Sequence, residues 1–219
     1  MTELEAIQSK VKEYGATLVA VSKTKPVRAI EELYAQGQRI FGENRVAELI
    51  EKCDSLHDDI DWHMIGHLQT KKVKHIIPFV SLIHAVDTVK LMDEINKRAA
   101  IQERKVDVLL QFHIAAEESK YGLSPEEAKE ILDENDFAPF TNVNIVGVMG
   151  MATFTDDKDQ VRSEFKKLKS IFDQIKSDYF QDDDSFKEIS MGMSGDYEIA
   201  LEEGSTIVRI GSLLFGARD

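Results

Sequence analysis

The stretch "TLVAVSKTKPVRAIEELYAQGQRIFGEN", residues 17–44, carries the pattern that decides the fold. Its first part, "TLVAVSK", is an almost continuous apolar run, which is typical of a strand buried on both faces. A helix is predicted next, with Pro26 well placed in its first turn. "QRIFGEN" then predicts a second, short strand that ends in a turn. A strand, a helix and another strand in this order predict a βαβ unit with parallel strands.

The same alternation continues along the chain. Further strands are predicted in "DWHMIGH", "VSLIHAVD", "KVDVLLQFHI", "VNIVGVMGMA", "FKEIS" and "TIVRIGSLLFGA". Eight strands that alternate with helices predict an α/β fold, a (β/α)₈ barrel of the TIM type, and residues 2–14 predict an additional N-terminal helix. The competing fold is an open doubly wound sheet. It is disfavoured because no Gly-x-Gly-x-x-Gly follows the first strand.

Composition narrows the range of functions. No proline- or glycine-rich linker divides the 219 residues, so we expect one domain over residues 1–219. A net charge of -13 disfavours a nucleic-acid partner, and no apolar run approaches the roughly 20 residues that a membrane helix needs. The single cysteine, Cys53, and the absence of a visible signal peptide predict a cytoplasmic protein. The six histidines lack zinc-binding spacing, so no metal site is expected.

The ends of the last two predicted strands indicate a phosphate site. Barrels of this type often bind phosphate with the loops after strands seven and eight. "SMGMSGD" supplies Gly192, Ser194 and Gly195 at the first of these places, and "RIGS" supplies Gly211 and Ser212 at the second. Glycines allow the backbone to approach a ligand closely, and serine adds a hydroxyl donor, although both residue types are also common in ordinary turns.

Two lysines follow the first strand, and one of them is a candidate nucleophile. Lys23 and Lys25 share the side of the strand that carries Val19 and Val21, so alternation does not separate them. Lys23 is still on the predicted strand, whereas Lys25 precedes Pro26 and is expected to leave the barrel. A lysine at a barrel mouth beside a phosphate site suggests a Schiff base with an aldehyde cofactor. A surface lysine at a strand end is the alternative.

Arg209 lies on the last strand, two residues before Gly211. An ion pair in the barrel wall explains it as well as a ligand role does. If this guanidinium faced a pyridine nitrogen, it would leave that nitrogen unprotonated, because arginine does not give up its proton readily. The cofactor would then be a weaker electron sink than one paired with a carboxylate.

These segments together resemble a known family. "AVSKTKP", "FGEN", "WHMIGHLQ", "GVMGMA", "SMGMSGD" and "VRIGSLLFGAR" are similar to the pyridoxal phosphate homeostasis proteins, single-domain relatives of the N-terminal barrel of alanine racemase. The resemblance runs from about Leu18 to Arg218. It implies that Lys23 holds pyridoxal 5'-phosphate as a Schiff base. It also implies further cofactor contacts, from Asn44, His63, Met191, Ser194, Arg209, Gly211 and Ser212.

The chain departs from the family pattern at two positions. Arg45 follows "FGEN" where the family usually has an aromatic residue, and Lys71 stands where it usually has asparagine. Neither departure touches the lysine or phosphate motifs, so they bear only on the edge of the site or on a partner surface. Lys120 and Gly122, in "ESKYG", keep the lysine and glycine of a further family stretch.

The resemblance implies a binding protein rather than an enzyme. Members of the family bind the cofactor and influence vitamin B6 pools, so transient contact with apo-enzymes and a monomeric state are expected. Alanine racemase adds a second domain and a tyrosine base from its dimer partner, and we expect neither here, so two-base proton exchange would lack one group. A single-domain amino-acid racemase is the alternative. An aldolase that uses Lys23 on a phosphosugar without cofactor is a third interpretation.

Overall fold

The computed structural model describes residues 2–116, 121–135 and 140–216. Within these ranges eight parallel strands close into a barrel in chain order, with helices between them. The strands are β1 (Thr17–Val21), β2 (Ile40–Glu43), β3 (Asp61–Met64), β4 (Leu82–Val86), β5 (Val106–Phe112), β6 (Val143–Gly150), β7 (Glu188–Ser190) and β8 (Ile207–Ile210). The predicted (β/α)₈ barrel is therefore confirmed.

The helices cover the outside of the barrel. They are α1 (Glu3–Glu13), α2 (Val27–Ala35), α3 (Val46–Ser55), α4 (Val73–Ile76), α5 (Val89–Ile101), α6 (Pro125–Asn135), α7 (Lys158–Tyr179), α8 (Tyr197–Glu202) and α9 (Ser212–Phe215), with a 3₁₀ turn at Thr70–Lys72 before α4. The predicted N-terminal helix is α1. In the part of the chain described here, no helix is long and apolar enough to span a membrane.

Local capping signals fix where two of these helices begin. At α1, the Glu5 amide donates to the Thr2 hydroxyl and the Thr2 amide donates to the Glu5 carboxylate, which together form a capping box. At α6, Ser124 and Glu127 exchange the same two hydrogen bonds. Both capping boxes are legible in the sequence, because each needs only a hydroxyl residue and a glutamate three positions later.

The barrel closes where β1 pairs with β8. Thr17 is in register with Ile207, and Ala20 is in register with Ile210. This pairing leaves no exposed sheet edge, which is a stabilising feature of closed barrels. It also places the loop that follows β1 beside the loop that follows β8, so residues far apart in sequence meet at one end of the barrel.

Alternate side chains along the strands belong to two different apolar layers. On β1, Leu18 and Ala20 point outward into the core shared with the helices, whereas Val19 points into the barrel. The interior layer also contains residues of the other strands: Leu82, Ala85, Leu109, Val146, Met149 and Ile207. The middle of the barrel is thus packed with side chains, and we look for a ligand site at its ends.

Candidate functional site

A cavity of about 640 Å³ opens at the carboxyl ends of the strands, within the range of about 300–1,000 Å³ that is usual for small-ligand sites. Its walls come from the loops after β1, β2, β3, β6, β7 and β8 and from residues near the end of β5. Six of the eight residues predicted from the sequence line it: Lys23, Asn44, Ser194, Arg209, Gly211 and Ser212.

The lysine loop after β1 differs from the sequence prediction in two respects. β1 ends at Val21, so Lys23 is not on the strand but in the turn beyond it, where the Lys25 amide donates to the Ser22 carbonyl at 3.0 Å. Lys25 does not leave the barrel. It lines the same cavity as Lys23, and its Nζ donates to the Phe215 carbonyl at 3.1 Å. Lys23 and Lys25 therefore border one cavity, which Lys158 also lines.

A buried pair of opposite charges lies beneath this loop. Lys52 Nζ is 2.7 Å from Glu43 Oε1, and the side chains are 6% and 0% exposed. Burial raises the pKa of Glu43, while hydrogen bonds from Lys52 and Ser22 act in the opposite direction. Glu43 Oε2 has no hydrogen-bond partner among the described residues. The pair connects the end of β2 to α3, and both of its members bond Ser22 at the start of the lysine loop.

The loops after β7 and β8 meet on the other side of the cavity. The Gly211 amide donates to Ser194 Oγ at 3.2 Å, which ties the two loops together. A side chain at Gly211 would place its Cβ 3.2 Å from the Val21 carbonyl oxygen, so glycine permits the close approach of β1 and β8. α9 begins at Ser212, and the first amides of a helix have no acceptor within it. These donors suit an anionic group.

Arg209 forms part of the cavity wall from inside the barrel. The side chain is buried, and its guanidinium donates to Ser190 Oγ and, at 3.1 Å, to the Gly150 carbonyl. Burial lowers the pKa of Arg209 to about 10, and nearby Asp196 opposes this shift. The group therefore remains a cation at neutral pH, held by two neutral acceptors.

His63 does not lie at this cavity. Its Nδ1 is 3.0 Å from Nε2 of His84, whose Nδ1 is 2.9 Å from Ser190 Oγ. His63 borders a second cavity at the opposite end of the barrel, together with the first residues of several strands, such as Thr17 and Ile207. The structure therefore does not bring His63 together with the other predicted cofactor contacts, because its side chain lies deeper in the barrel.

Met191 also lies elsewhere, because the strand alternates. Ser190 points into the barrel, where it bonds His84 and Arg209, so the next residue points outward. Met191 is fully buried in the core between the sheet and the helices. It is absent from the lining of the cavity, so the structure does not bring Met191 together with the other predicted cofactor contacts either.

Asn44 has a buried polar atom whose hydrogen bonding is not satisfied within the described part of the chain. Its Oδ1 is buried without a hydrogen-bond partner among the described residues, although the residue borders the cavity. The backbone there is closely packed, since a Cβ on Gly66 would lie 2.6 Å from the Asn44 carbonyl oxygen. A buried polar atom left unpaired is unfavourable by about 1–3 kcal/mol, so Asn44 Oδ1 suits a donor from a bound molecule.

Sequence reasoning missed residues on the far wall of the cavity. Gln111 Nε2 donates to the Tyr121 carbonyl at 2.9 Å, and the Tyr121 ring stacks on His67 with centroids 4.7 Å apart. All three residues border the cavity. Their segments stand at predicted strand ends, which was the available signal, and of the three only Tyr121, as a tyrosine that could replace the missing racemase base, has an evident chemical role. Lys120 and Arg218, quoted for the family resemblance, lie outside the described residues.

The fold and the site together define a class. A closed (β/α)₈ barrel with a lysine loop after β1 and glycine–serine loops after β7 and β8 has the plan of the alanine racemase barrel. Accordingly, the family model "Alanine racemase, N-terminal domain" matches residues 2–219. Alanine racemase of Clostridium difficile 630 shares this fold with a TM-score of 0.76 at 16% identity, covering 99% of this chain and 60% of that one.

Pyridoxal phosphate homeostasis proteins are much more similar to this chain in sequence. A pyridoxal phosphate homeostasis protein of Aquifex aeolicus is 42% identical over 98% of this chain and 95% of its own length, and one of Homo sapiens is 41% identical over 99% and 79%. The chain belongs to the family of pyridoxal phosphate homeostasis proteins. PipY of Synechococcus elongatus PCC7942, solved with PLP bound, superposes with a TM-score of 0.88 at 32% identity, covering 98% of both chains.

Proposed function

We propose that this protein binds pyridoxal 5'-phosphate covalently on Lys23 and takes part in vitamin B6 homeostasis without turning over a substrate. The observation that carries the proposal is the meeting, in one cavity, of a lysine loop after β1 and the glycine–serine loops after β7 and β8. The similarity to PipY, whose structure contains PLP, supports the same ligand here.

The predicted cofactor contacts that line the cavity have distinct tasks in this proposal. The Lys23 amine bonds to the aldehyde carbon of the cofactor, and the aldehyde oxygen leaves as water. Ser194, Gly211 and Ser212 hold the phosphate through a hydroxyl group and backbone amides. Arg209 would lie beside the ring nitrogen and leave it unprotonated, and Asn44 would contribute the polar oxygen that otherwise lacks a partner among the described residues.

An arginine beside the ring nitrogen bears on which reactions the bound cofactor can support. The bound cofactor supplies an electron sink to any amino acid attached to it, and that sink is weaker beside an arginine than beside a carboxylate. We further propose a monomeric, single-domain carrier that releases the cofactor to apo-enzymes in the cytoplasm. Measuring transfer from the loaded protein to an apo-enzyme tests the delivery step.

A single-domain amino-acid racemase is the second candidate, and one residue favours it. Tyr121 lines the same cavity as Lys23, so its hydroxyl is the candidate for a second base. Polarimetry on single amino-acid enantiomers separates the two functions: the carrier leaves their rotation unchanged, whereas the racemase abolishes it.

The lysine assignment is tested by trapping the bound cofactor. We expect the purified protein to develop a yellow absorbance band with pyridoxal 5'-phosphate, and borohydride reduction followed by peptide mapping to place the adduct on Lys23. Lys23→Ala should lose the band completely. Lys25→Ala is the matched control, because Lys25 borders the same cavity, and it should keep the band.

An adduct on Lys25, or on any other lysine, contradicts the assignment of Lys23. A protein that stays colourless with added cofactor contradicts the whole proposal. That second result would favour the third interpretation, an aldolase that uses Lys23 directly on a phosphosugar.

A further inference from the structure

The loop that carries Lys23 has a strained backbone. Thr24, directly after Lys23, has φ of +64° and is not glycine. This left-handed region is unfavourable for a β-branched side chain and persists only where surrounding contacts impose it. The structure therefore has to contain groups that hold the backbone on both sides of Lys23.

On the N-terminal side, the holding groups are charged and buried. Lys52 Nζ donates to the Ser22 carbonyl at 2.8 Å, and the Ser22 hydroxyl donates to Glu43 Oε1 at 2.6 Å. Lys52 also bonds Glu43, as described above. Ser22 is thus fixed through both its backbone and its side chain, by one residue of β2 and one of α3.

On the C-terminal side, a second carboxylate completes the arrangement. The Thr24 amide donates to Glu48 Oε2 at 2.7 Å, and Glu48 lies 3.5 Å from Lys52 Nζ. Glu43, Glu48 and Lys52 therefore form one connected charge network, with contacts to the residues immediately before and after Lys23. Glu48 and Lys52 stand one turn apart on α3, so a single helix carries two of the three groups.

Stability alone does not explain this network. Removing two charges from water is unfavourable, and well-packed apolar residues of similar volume often give equal or greater stability than a buried ion pair. We propose that Glu43, Glu48 and Lys52 are positioning residues that fix the Lys23 loop, so that the amine meets the cofactor aldehyde in a productive geometry. This inference rests on the proposed function, because it assumes that Lys23 is the residue that condenses.

The test uses Lys52→Met, which removes the charge while keeping an unbranched side chain. We expect the amides of Lys23 and Thr24 to exchange with deuterium about tenfold faster in the cofactor-free protein. We also expect the yellow band to form about tenfold or more slowly with pyridoxal 5'-phosphate, since a misplacement of about 1 Å can lower a rate about a hundredfold.

Arg104→Met is the matched control. Arg104 also donates to backbone carbonyls, those of Ile77 and Val80, but at the opposite end of the barrel. It should lower the thermal unfolding temperature without changing the rate of band formation or the exchange of the lysine loop. Glu48→Ala replaces Lys52→Met if the latter fails to fold, because Glu48 is partly exposed and bonds only one side of the loop.

The outcomes separate the two proposals. A wild-type protein that forms no adduct on Lys23 overturns the proposed function. A wild-type protein that forms the adduct, with Lys52→Met and Glu48→Ala forming it equally fast, overturns the positioning role alone. Slow formation in both loop variants and normal formation in Arg104→Met supports the positioning role.

Discussion

At the scale of single residues, the interior of the barrel contains two neutral histidines. Burial lowers the pKa of His63 to about 3, and burial together with nearby His63 and Arg209 lowers the pKa of His84 well below its usual value. Each imidazole can therefore donate through one nitrogen and accept through the other. The resulting contacts, from His63 through His84 to Ser190, place the hydroxyl that Arg209 bonds.

This burial predicts a loss of stability in mild acid. Between about pH 6.5 and pH 3 the unfolded chain binds a proton on His63 that the folded chain does not, so lowering the pH favours unfolding. The stabilisation is fully present above pH 6.5 and decreases below it. The free energy of unfolding, measured by urea denaturation, should fall between pH 7 and pH 4.5 in both proteins. We expect this fall to be about 2 kcal/mol smaller in His63→Gln than in wild type.

His75→Gln is the control for this experiment, because His75 is exposed on α4. It should follow the wild-type pH profile. Parallel profiles for wild type and His63→Gln would contradict the assignment of a neutral, buried imidazole to His63.

At the scale of elements, the loop between β7 and α8 depends on one glycine. Gly192 has φ of +93°, and a Cβ there would lie 2.6 Å from the Cβ of Ala200 and 3.1 Å from the Cα of Tyr197. The glycine allows α8 to pack directly against the end of β7. It thereby sets the path of the chain toward Ser194, which bonds the loop after β8.

Gly192→Ala should destabilise the protein by about 2–4 kcal/mol, because it combines a left-handed backbone with overpacking against α8. Gly195→Ala, in the same loop, should change stability by less than about 0.5 kcal/mol, since nothing lies within 4 Å of its added Cβ. Thermal unfolding of the two variants measures the difference. Equal stabilities would show that α8 does not pack against Gly192 in solution.

At the scale of the whole molecule, closure of the barrel couples the chain from end to end. β1 and β8 are paired, and both contribute to the interior layer, through Val19 and Ile207. Opening this seam would expose the interior apolar layer to water, so no strand is expected to separate from the rest independently.

We therefore predict one cooperative unfolding transition for the cofactor-free protein. Calorimetric and van't Hoff enthalpies should agree, and light scattering should give the monomer mass of 24.8 kDa. Two resolved transitions would contradict the single domain expected over residues 1–219, and a mass twice as large would contradict the monomer.

Added pyridoxal 5'-phosphate should raise the transition temperature, because it binds the folded protein. At a hundred times its dissociation constant, the free energy of unfolding should increase by about 2.7 kcal/mol.

Much of the architecture could be predicted from the sequence, because it depends on patterns among residues that are close together in the chain. Apolar runs of strand length that alternate with amphipathic helices specify a buried parallel sheet, and the capping boxes at Thr2 and Ser124 depend on residues three positions apart. Lys23 and Gly211 were found for the same reason, since both stand where a strand ends. The sequence also carries the family motifs, from "AVSKTKP" to "RIGS".

Only the tertiary structure decided which strand-end residues share the cavity. His63 stands on β3 and Met191 directly follows β7, but the depth of one and the outward direction of the other depend on how the barrel closes. Lys25 joins the cavity because the chain turns back at Thr24, and Lys52 reaches Glu43 only because α3 lies over β2. Periodicity along a chain records which side a residue faces. Distance across a closed barrel depends on contacts between segments that no local pattern encodes.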